Sequence, residues 1–417
     1  MGTEGSGTHM PEPADFSQAS DLPVSGADQA GVRVYNERLA LSLVRRFGQL
    51  SKIEVARMTG LSVQSTSTIM NRLSGEGLLK REAPLRGRVG QPTVPVSLDP
   101  EGAFAFGLKI GRRSSDLVLV DFAGKIRDGE SLDYSYPTPE AVLAFAESAL
   151  PRLTARLSQR QKARLAGLGV ALPFQLWGWS DEIGAPAGAL DGWRSLDLAA
   201  ELGRHCGLPI TIFNDATSAC AAEYYFGEAW QERDYLYLFV GDFLGGGLVL
   251  NSSLYLGRTG NAAAVGSMPV PGERGGLAQL IHFASIYQLE RRVAEAGLDP
   301  SSIWLTPDAW EEFGEPLKLW LEEAARALAY AIVSAISVID VGAIVIDGAT
   351  PPSVRQTLCL LTAAELEKLD RRGLSDVRIL PGVIGPNARA IGAAALPLIK
   401  SFARDRDVLF KEAAVEG

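Results

Sequence analysis

The chain has 417 residues, of which 47% are hydrophobic and 21% charged, a composition typical of a folded protein with two or three domains. No apolar run reaches the ~18 residues that a membrane-spanning helix needs, and no signal peptide is visible, so we expect neither membrane insertion nor secretion. The formal net charge of −9 excludes a protein that coats nucleic acid along its whole length.

The N-terminal residues are predicted to be disordered, and the cysteines and histidines indicate a cytoplasmic protein without a metal site. Residues 1–10 resemble a leftover expression tag, and residues 11–30 are rich in Pro, Ser, Asp and Gly, so we expect residues 1–30 to be disordered. Cys206, Cys220 and Cys359 lack metal-ligand spacing, and such an odd, scattered set is typical of a reducing cytoplasm. Only three histidines occur, so we expect no histidine-based metal site and no cofactor.

Residues 31–98 are predicted to form a winged helix-turn-helix, a DNA-binding domain. Its first helix is expected over Asn36–Phe47, where apolar residues recur. Ser51 and Glu54 have the capping-box spacing that begins a second helix, and Gly60 ends it. A third helix is expected after this tight turn.

The third helix is the predicted reader of the DNA major groove. Ser62 is placed to cap it, and four of its side chains should form one buried stripe: Thr66, Ile69, Met70 and Leu73. The side chains left on the outside are mostly small and polar, as a major-groove reader requires. They are Gln64, Ser65, Ser67, Thr68 and Arg72. The alternative is an ordinary helical hairpin without a DNA-binding role.

A wing is expected after the third helix. Leu78–Glu82 and Thr93–Leu98 are predicted strands, and the loop between them is rich in Gly, Pro and Arg. Arg86 and Arg88 in this loop are candidates for contact with phosphates or a minor groove; the alternative is that they are solvated surface charges. The turn Asp99–Gly102 marks the predicted domain boundary.

Charge is distributed unevenly along the chain. Residues 31–98 contain eleven lysines and arginines against four acidic residues, which gives +7, and the remainder therefore carries −16. A basic N-terminal module attached to an acidic body is the charge pattern of a DNA-binding regulator.

Residues 99–405 are predicted to form an α/β body, because strands and helices alternate along them. The predicted strands are Ala105–Ile110, Leu117–Phe122, Leu165–Leu172, Leu208–Phe213, Leu236–Val240, Leu248–Leu250, Ala343–Asp347 and Val377–Leu380. The predicted helices are Glu140–Leu157, Ala216–Phe226, Leu317–Val341 and Ala388–Leu398. We interpret Gly245–Gly247 as a tight turn with close packing, and the helix Leu317–Val341 as core and dimer surface.

The body contains four phrases in a characteristic order: GLKIGRRSSDLVLVDFAGKI, IFNDATSACAAEYYFG, LFVGDFLGGGLVLNSSLYLGRTGNAAAVG and ARAIGAAALPL. In their order and spacing they resemble the ROK family of sugar kinases and transcriptional repressors. The resemblance implies an actin-like, two-lobed body. A winged helix placed before such a body is similar to the family's repressor branch, which includes the xylose and N-acetylglucosamine repressors.

The chain departs from the family's kinase pattern at both phosphate turns. Where a family kinase has Asp-x-Gly-Gly-Thr, this chain has Lys109-Ile110-Gly111-Arg112-Arg113. Where a kinase has Gly-Thr-Gly-x-Gly, it has Gly241-Asp242-Phe243-Leu244-Gly245. Asp242 would repel a phosphate and Phe243 would fill its space, so we expect no nucleotide binding and no enzymatic activity. The Arg112/Arg113 pair remains suited to holding some anion.

The sugar side of the family's site is kept in part. Asn214-Asp215 matches the pair that holds and deprotonates a sugar hydroxyl in family kinases, and Asn261 is a further candidate for ligand binding. The alternative is that Asn214-Asp215 only caps the helix Ala216–Phe226. Three tryptophans are either a stacking platform for a sugar or packing residues: Trp177, Trp179 and Trp193.

The family's zinc motif is absent from the sequence. Its Gly-Glu-x-Gly-His run is Ala263-Ala264-Val265-Gly266-Ser267 here, and the segment PGERGGLAQ contains no cysteine and only one acid, Glu273. We therefore expect no structural zinc and an altered sugar pocket.

Together these features predict a cytoplasmic ROK-type regulator, a repressor of carbohydrate-related genes that binds a palindromic operator as a homodimer or homotetramer. A sugar or sugar-derived ligand in the catalytically inactive body is expected to change its affinity for double-stranded DNA. Two alternatives stay open: an active sugar kinase with an accessory DNA module, and a regulator controlled by a protein partner without a small-molecule effector.

Overall fold

The computed structural model of the protein describes residues 29–84, 94–180, 184–272, 275–306 and 309–404. Within them the chain forms an N-terminal winged helix-turn-helix followed by an actin-like α/β body of two lobes, the fold class that the sequence predicts. No helix in these ranges is long and apolar enough to cross a membrane. The predictions for residues 1–28, Arg86 and Arg88 fall outside the described residues. The predicted disorder is wrong for residues 29 and 30, which are helical, so the first helix begins at Gln29 and not at Asn36.

The winged helix-turn-helix follows the local signals of its sequence. It consists of α1 (Gln29–Phe47), α2 (Lys52–Thr59), α3 (Val63–Gly75) and the antiparallel strands β1 (Leu79–Arg81) and β2 (Val96–Leu98). The capping box is confirmed, because the Glu54 N–H donates to Ser51 Oγ (3.2 Å) and the Ser51 N–H donates to Glu54 Oε2 (2.7 Å). Gly60 ends α2 with a left-handed φ of 73°, as glycine does most readily.

The predicted buried stripe of α3 lies in the core of the winged helix-turn-helix. Thr66, Met70 and Leu73 are buried, and Ile69 packs beside them partly buried. The same hydrophobic cluster continues into body residues such as Val118. The winged helix-turn-helix and the first lobe therefore share one core.

The first lobe is a five-stranded sheet flanked by helices. Its strands are β3 (Phe104–Ile110), β4 (Ser114–Asp121), β5 (Ile126–Asp133), β6 (Leu165–Leu172) and β7 (Ile210–Asn214). They lie in the order β5-β4-β3-β6-β7, antiparallel from β5 to β3 and parallel from β3 to β7. Its helices are α4 (Pro139–Ala155), α5 (Gln159–Lys162) and α6 (Leu198–Cys206).

The second lobe contains a second five-stranded sheet. Its helices and strands, taken in chain order with the final helix α13, are α7 (Asp215–Phe226), β8 (Tyr235–Val240), β9 (Leu244–Leu250), β10 (Ser253–Tyr255), β11 (Pro269–Pro271), β12 (Leu277–Gln279), α8 (Ile281–Ala284), α9 (Ile286–Glu295), α10 (Ser302–Leu305), α11 (Glu315–Ile336), β13 (Ala343–Gly348), α12 (Pro352–Leu366), β14 (Arg378–Pro381) and α13 (Ala388–Phe402). The sheet has the order β10-β9-β8-β13-β14, and β11 and β12 form a separate hairpin.

Helices α7 and α13 pack against each other between the two sheets, and glycines permit this close approach. An added Cβ at Gly392 of α13 would lie 1.7 Å from the Ser218 carbonyl oxygen of α7. An added Cβ at Gly169 of β6 would lie 1.8 Å from the Ala393 carbonyl oxygen of α13. Backbone therefore meets backbone on two sides of α13, which leaves this helix little freedom to shift.

Two predictions about the second lobe are wrong in their local geometry. Gly245–Gly247 lie inside strand β9, not in a tight turn, because their backbone pairs with β8. Their close packing is confirmed, since an added Cβ at Gly247 would lie 2.3 Å from Cys220 Cβ on α7. The helix predicted to reach Val341 ends at Ile336, before the strand β13.

Candidate functional site

A cavity of about 160 Å³ lies between the two lobes and brings together the three predicted ligand-binding residues, Asn214, Asp215 and Asn261. Side chains of both lobes line it, among them Phe174 from the first lobe and Ile281 from the second. The structure thus places these residues at one site, and their role in binding stays a prediction.

Asn214 and Asp215 stand where strand β7 passes into helix α7. Asn214 Oδ1 accepts hydrogen bonds from the backbone N–H groups of Ala216 (2.9 Å) and Thr217 (3.3 Å), so Asn214 is the cap of α7. Asp215 Oδ1 accepts from the same Ala216 N–H at 2.9 Å. The helix-capping role is therefore confirmed, and it coexists with a place in the cavity wall.

Arg389, on the first turn of α13, is a cavity residue that the sequence reasoning missed. Its Nη1 lies 3.3 Å from Asp215 Oδ2, and its guanidinium lies 5.1 Å from the centre of the Phe239 ring. Arg389 Nε is buried and has no hydrogen-bond partner among the described residues. A signal was present, since Arg389 is the one cation in the small, apolar phrase ARAIGAAALPL, and a buried cation needs a partner.

Lys109, the first of three basic residues near the end of β3, forms an ion pair within the first lobe. Lys109 Nζ lies 2.7 Å from Asp116 Oδ2 and 2.9 Å from Ser114 Oγ, so this lysine is paired inside the first lobe. Burial lowers the pKa of Lys109, the positive charge of Arg389 lowers it further, and Asp116 opposes both effects. Lys109, which the family resemblance aligns with the kinase carboxylate, thus has its charge already paired.

Arg112 and Arg113, expected to act as a pair, are separated. Arg113 crosses to the second lobe, where its Nη2 lies 2.5 Å from Glu290 Oε1 and its Nε lies 3.5 Å from Asp242 Oδ1. Arg112 lines the cavity instead. The anion-binding prediction is thereby confined to Arg112.

Asp242 and Phe243 also line this cavity, at the turn between β8 and β9. Phe243 packs against the hydrophobic clusters of both lobes. An aromatic ring and a carboxylate therefore occupy the turn that the family resemblance assigns to a nucleotide phosphate.

The described residues that line the cavity include no tryptophan, and the described ranges contain no cluster of metal ligands. No group of three or more His, Cys, Asp or Glu side chains there could hold a metal ion, and Glu273 lies outside those ranges. Trp193 is buried and donates to the Pro137 carbonyl oxygen (2.8 Å), and Trp177 packs beside the Arg194 guanidinium at 5.4 Å. These two act as packing residues, while the Trp179 side chain lies outside the description.

The predicted DNA-reading side chains lie together on α3, where all but Ser67 are exposed and Ser67 is half-buried: Gln64, Ser65, Ser67, Thr68 and Arg72. Lys52 Nζ donates to Ser67 Oγ (3.2 Å) and to Asn71 Oδ1 (2.7 Å). Arg72 pairs with Glu37 (3.2 Å) and Glu76 (2.8 Å). Ser65 Oγ lies 2.8 Å from Ser62 Oγ, and Thr68 Oγ1 donates to the Gln64 carbonyl oxygen (3.1 Å). Four of the five predicted readers therefore make contacts within the module while three of these four stay exposed. Lys52 and Asn71, missed in the sequence, share this surface.

Helix α1 docks on the body through Arg45, at a contact that we call the junction. Arg45 Nη1 donates to the Phe122 carbonyl oxygen (2.7 Å) and Nη2 donates to Tyr225 Oη (3.0 Å). The guanidinium lies 3.9 Å from the centre of the Tyr225 ring and 4.7 Å from that of Phe122. Phe402, at the end of α13, packs edge-on against Phe122 with ring centres 4.9 Å apart.

Comparison with known proteins connects this architecture to one family. Residues 105–399 match the model of the ROK family. An uncharacterised protein, y4fQ of Sinorhizobium fredii, is 26% identical over 88% of this chain and 91% of its own length. The transcriptional dual regulator NagC of Escherichia coli is 26% identical over 63% of this chain and 65% of its own length, and a xylose repressor of Bacillus spizizenii is 23% identical over 58% and 62%.

Solved structures agree with the fold. A ROK family transcriptional regulator described as a homologue of the Escherichia coli Mlc protein covers 90% of this chain and 98% of its own, with a TM-score of 0.63 and 20% identity. A ROK family glucokinase of Streptomyces griseus covers 70% of this chain, with a TM-score of 0.56 and 20% identity. The regulator's match extends over more of the chain than that of the kinase.

Proposed function

The chain belongs to the ROK family, and from this premise we propose that it is a transcriptional repressor whose affinity for an operator is set by a sugar-like ligand in the cavity. Residues 31–98 would form the DNA-binding module and residues 99–405 the effector-binding and dimerisation body. Two kinds of relative, named N-acetylglucosamine repressor and xylose repressor, support this proposal, as does the match of 90% of this chain to a family regulator.

One observation carries the proposal: two helices begin at the cavity and end at the junction. Helix α7 begins at Asp215 in the cavity wall and ends with Tyr225 against Arg45. Helix α13 carries Arg389 on its first turn and ends with Phe402 against Phe122. At 1.5 Å per residue, the 12 and 15 residues of these helices span roughly 18 and 22 Å.

This arrangement links the two sites by contiguous packing. The Asp215–Arg389 pair joins the first turns of the two helices, and the Tyr225 hydroxyl lies 3.5 Å from the Leu398 carbonyl oxygen near their far ends. A ligand that contacts Asp215 acts on both helices at once. It changes DNA affinity only if it binds the DNA-competent and incompetent arrangements unequally.

The cavity residues favour ligand sensing over phosphoryl transfer. The first turn carries Lys109, paired with Asp116, in place of the kinase carboxylate, and Phe243 stands in the second turn. Without these turns, a nucleotide lacks both its cation site and its phosphate cradle. Turnover of ATP with any sugar of a panel, abolished by Asp215→Ala, would contradict the repressor proposal and favour the kinase.

The DNA-binding part is tested on α3. Genomic fragments selected by the full-length protein provide the operator, and fluorescence anisotropy measures its affinity. We expect Gln64→Ala and Thr68→Ala each to weaken operator binding about tenfold, because each removes an exposed side chain from the reading surface.

The matched control for that experiment is Gln159→Ala, which removes the same side chain from an exposed position on the body. It should leave operator affinity unchanged. If the α3 variants bind like the unmodified protein, or if the selection recovers no DNA, α3 is not a DNA reader.

A further inference from the structure

Four charged side chains line the cavity in the described part of the chain, and Arg112 is the one of them that forms no ion pair. Arg389 pairs with Asp215, and Asp242 pairs with Arg113, which reaches it from outside the cavity lining. Arg112 remains, and none of the described acidic side chains forms an ion pair with it. The cavity wall therefore holds a guanidinium that has no ion-pair partner among the described residues.

Arg112 is held in place by aromatic rings. Its guanidinium lies 5.1 Å from the centre of the Tyr287 ring and 5.8 Å from that of Phe243. Its Nη1 atom is buried without a hydrogen-bond partner among the described residues. A buried donor left unpaired is costly, above all when it is charged, so a bound group that satisfies it is favoured.

The guanidinium of Arg112 indicates which kind of ligand the cavity can bind. A guanidinium is a planar fork of donors that matches a carboxylate or a phosphate and cannot lose its charge. Arg389 Nε offers a second buried donor without a partner in the described ranges. Asp215 and Asn261 supply, in the same cavity, the acceptors and the amide that hydroxyl groups require.

We propose that the cavity takes an anionic polyol, a sugar acid or a sugar phosphate, whose anionic group binds Arg112 while its hydroxyl groups face Asp215 and Asn261. The inference rests on the proposed function, since it takes the cavity as the effector site. Arg112 stands in the sequence where a family kinase has a small residue of its first phosphate turn, so the anion lies on that side of the cavity.

Calorimetry on the full-length protein tests this proposal with a hexose, its 6-phosphate, the corresponding hexuronate and inorganic phosphate. We expect the phosphate ester or the hexuronate to bind at least tenfold more tightly than the neutral hexose. Arg112→Gln should abolish that preference, and Arg112→Lys, which keeps the charge but not the fork, should retain part of it. Comparison of the ester with the uronate decides between phosphate and carboxylate.

Arg160→Gln, the same change at an exposed position outside the cavity, is the control and should leave all affinities unchanged. The proposal is overturned if the neutral hexose binds as tightly as its charged relatives, if Arg112→Gln leaves the anion affinities unchanged, or if no anion binds. Operator binding, measured separately by anisotropy, tests the repressor proposal. A failure of the anionic-ligand proposal can therefore be distinguished from a failure of the repressor proposal.

Discussion

Gly392→Ala is expected to destabilise the protein by about 3 kcal/mol, the upper part of the range for overpacked cores. An added Cβ would lie 1.7 Å from the Ser218 carbonyl oxygen and 2.4 Å from its carbon, and both are backbone atoms that no rotamer change can move aside. The two helices must separate, yet α13 is held on its other side by Gly107 and Gly169 of the first lobe. Urea unfolding followed by tryptophan fluorescence measures the loss.

The control is Gly75→Ala, at the last residue of α3, where an added Cβ meets nothing within 4 Å. Alanine is favoured over glycine in a helix by up to about 1 kcal/mol, so this variant should lose no stability. Equal stability of the Gly392→Ala and unmodified proteins would show that α7 and α13 do not approach as closely as the structure has them.

Local signals in the sequence predicted local structure well. The cap at Ser51, the left-handed Gly60 and the buried strand Leu165–Leu172 lie where predicted, because each depends on neighbours within a few residues. Strand β5 was missed, since alternate residues face solvent and its sequence IRDGESLD is polar with a central glycine. Gly245–Gly247 were assigned to a turn because glycine serves turns and close packing alike.

The candidate site was predictable only as far as the resemblance extended. Asn214 and Asp215 were predicted as ligand-binding residues from a family motif, and both line the cavity. Arg389 reaches Asp215 across 174 residues of sequence, a contact that no periodicity reveals. Arg112 and Arg113 look equivalent in the chain, and only the path of β3 into β4 sends one to the cavity and the other to Glu290.

Arg45→Met is expected to weaken the docking of the DNA module by about 2–4 kcal/mol. The change removes two hydrogen bonds from a charged donor and the stacking on Tyr225, and it leaves the Phe122 carbonyl oxygen without that donor. Methionine keeps much of the length and packing of the side chain, so the loss reports mainly the polar contacts. The module should then unfold before the body.

Two spectroscopic signals separate these events, because all seven tryptophans lie at residue 177 or later. Tryptophan fluorescence therefore reports the body, and far-ultraviolet circular dichroism reports the helices of both parts. In the unmodified protein the two thermal transitions should coincide, whereas in Arg45→Met the dichroism should begin to fall at a lower temperature. Arg33→Met, an exposed change on the same helix, should leave them coincident.

The Arg45→Met variant also distinguishes DNA binding from the regulation of DNA binding by a ligand. Arg45 lies at the junction and away from the exposed side chains of α3, so an Arg45→Met module that is still folded should keep its operator affinity. What it should lose is the greater part of the response to a ligand, since the polar contacts that tie α1 to Tyr225 of α7 and to Phe122, which packs against Phe402 of α13, are then gone. A variant with unchanged coincident unfolding and a full ligand response would show that the coupling runs elsewhere, for example through a change in dimer geometry.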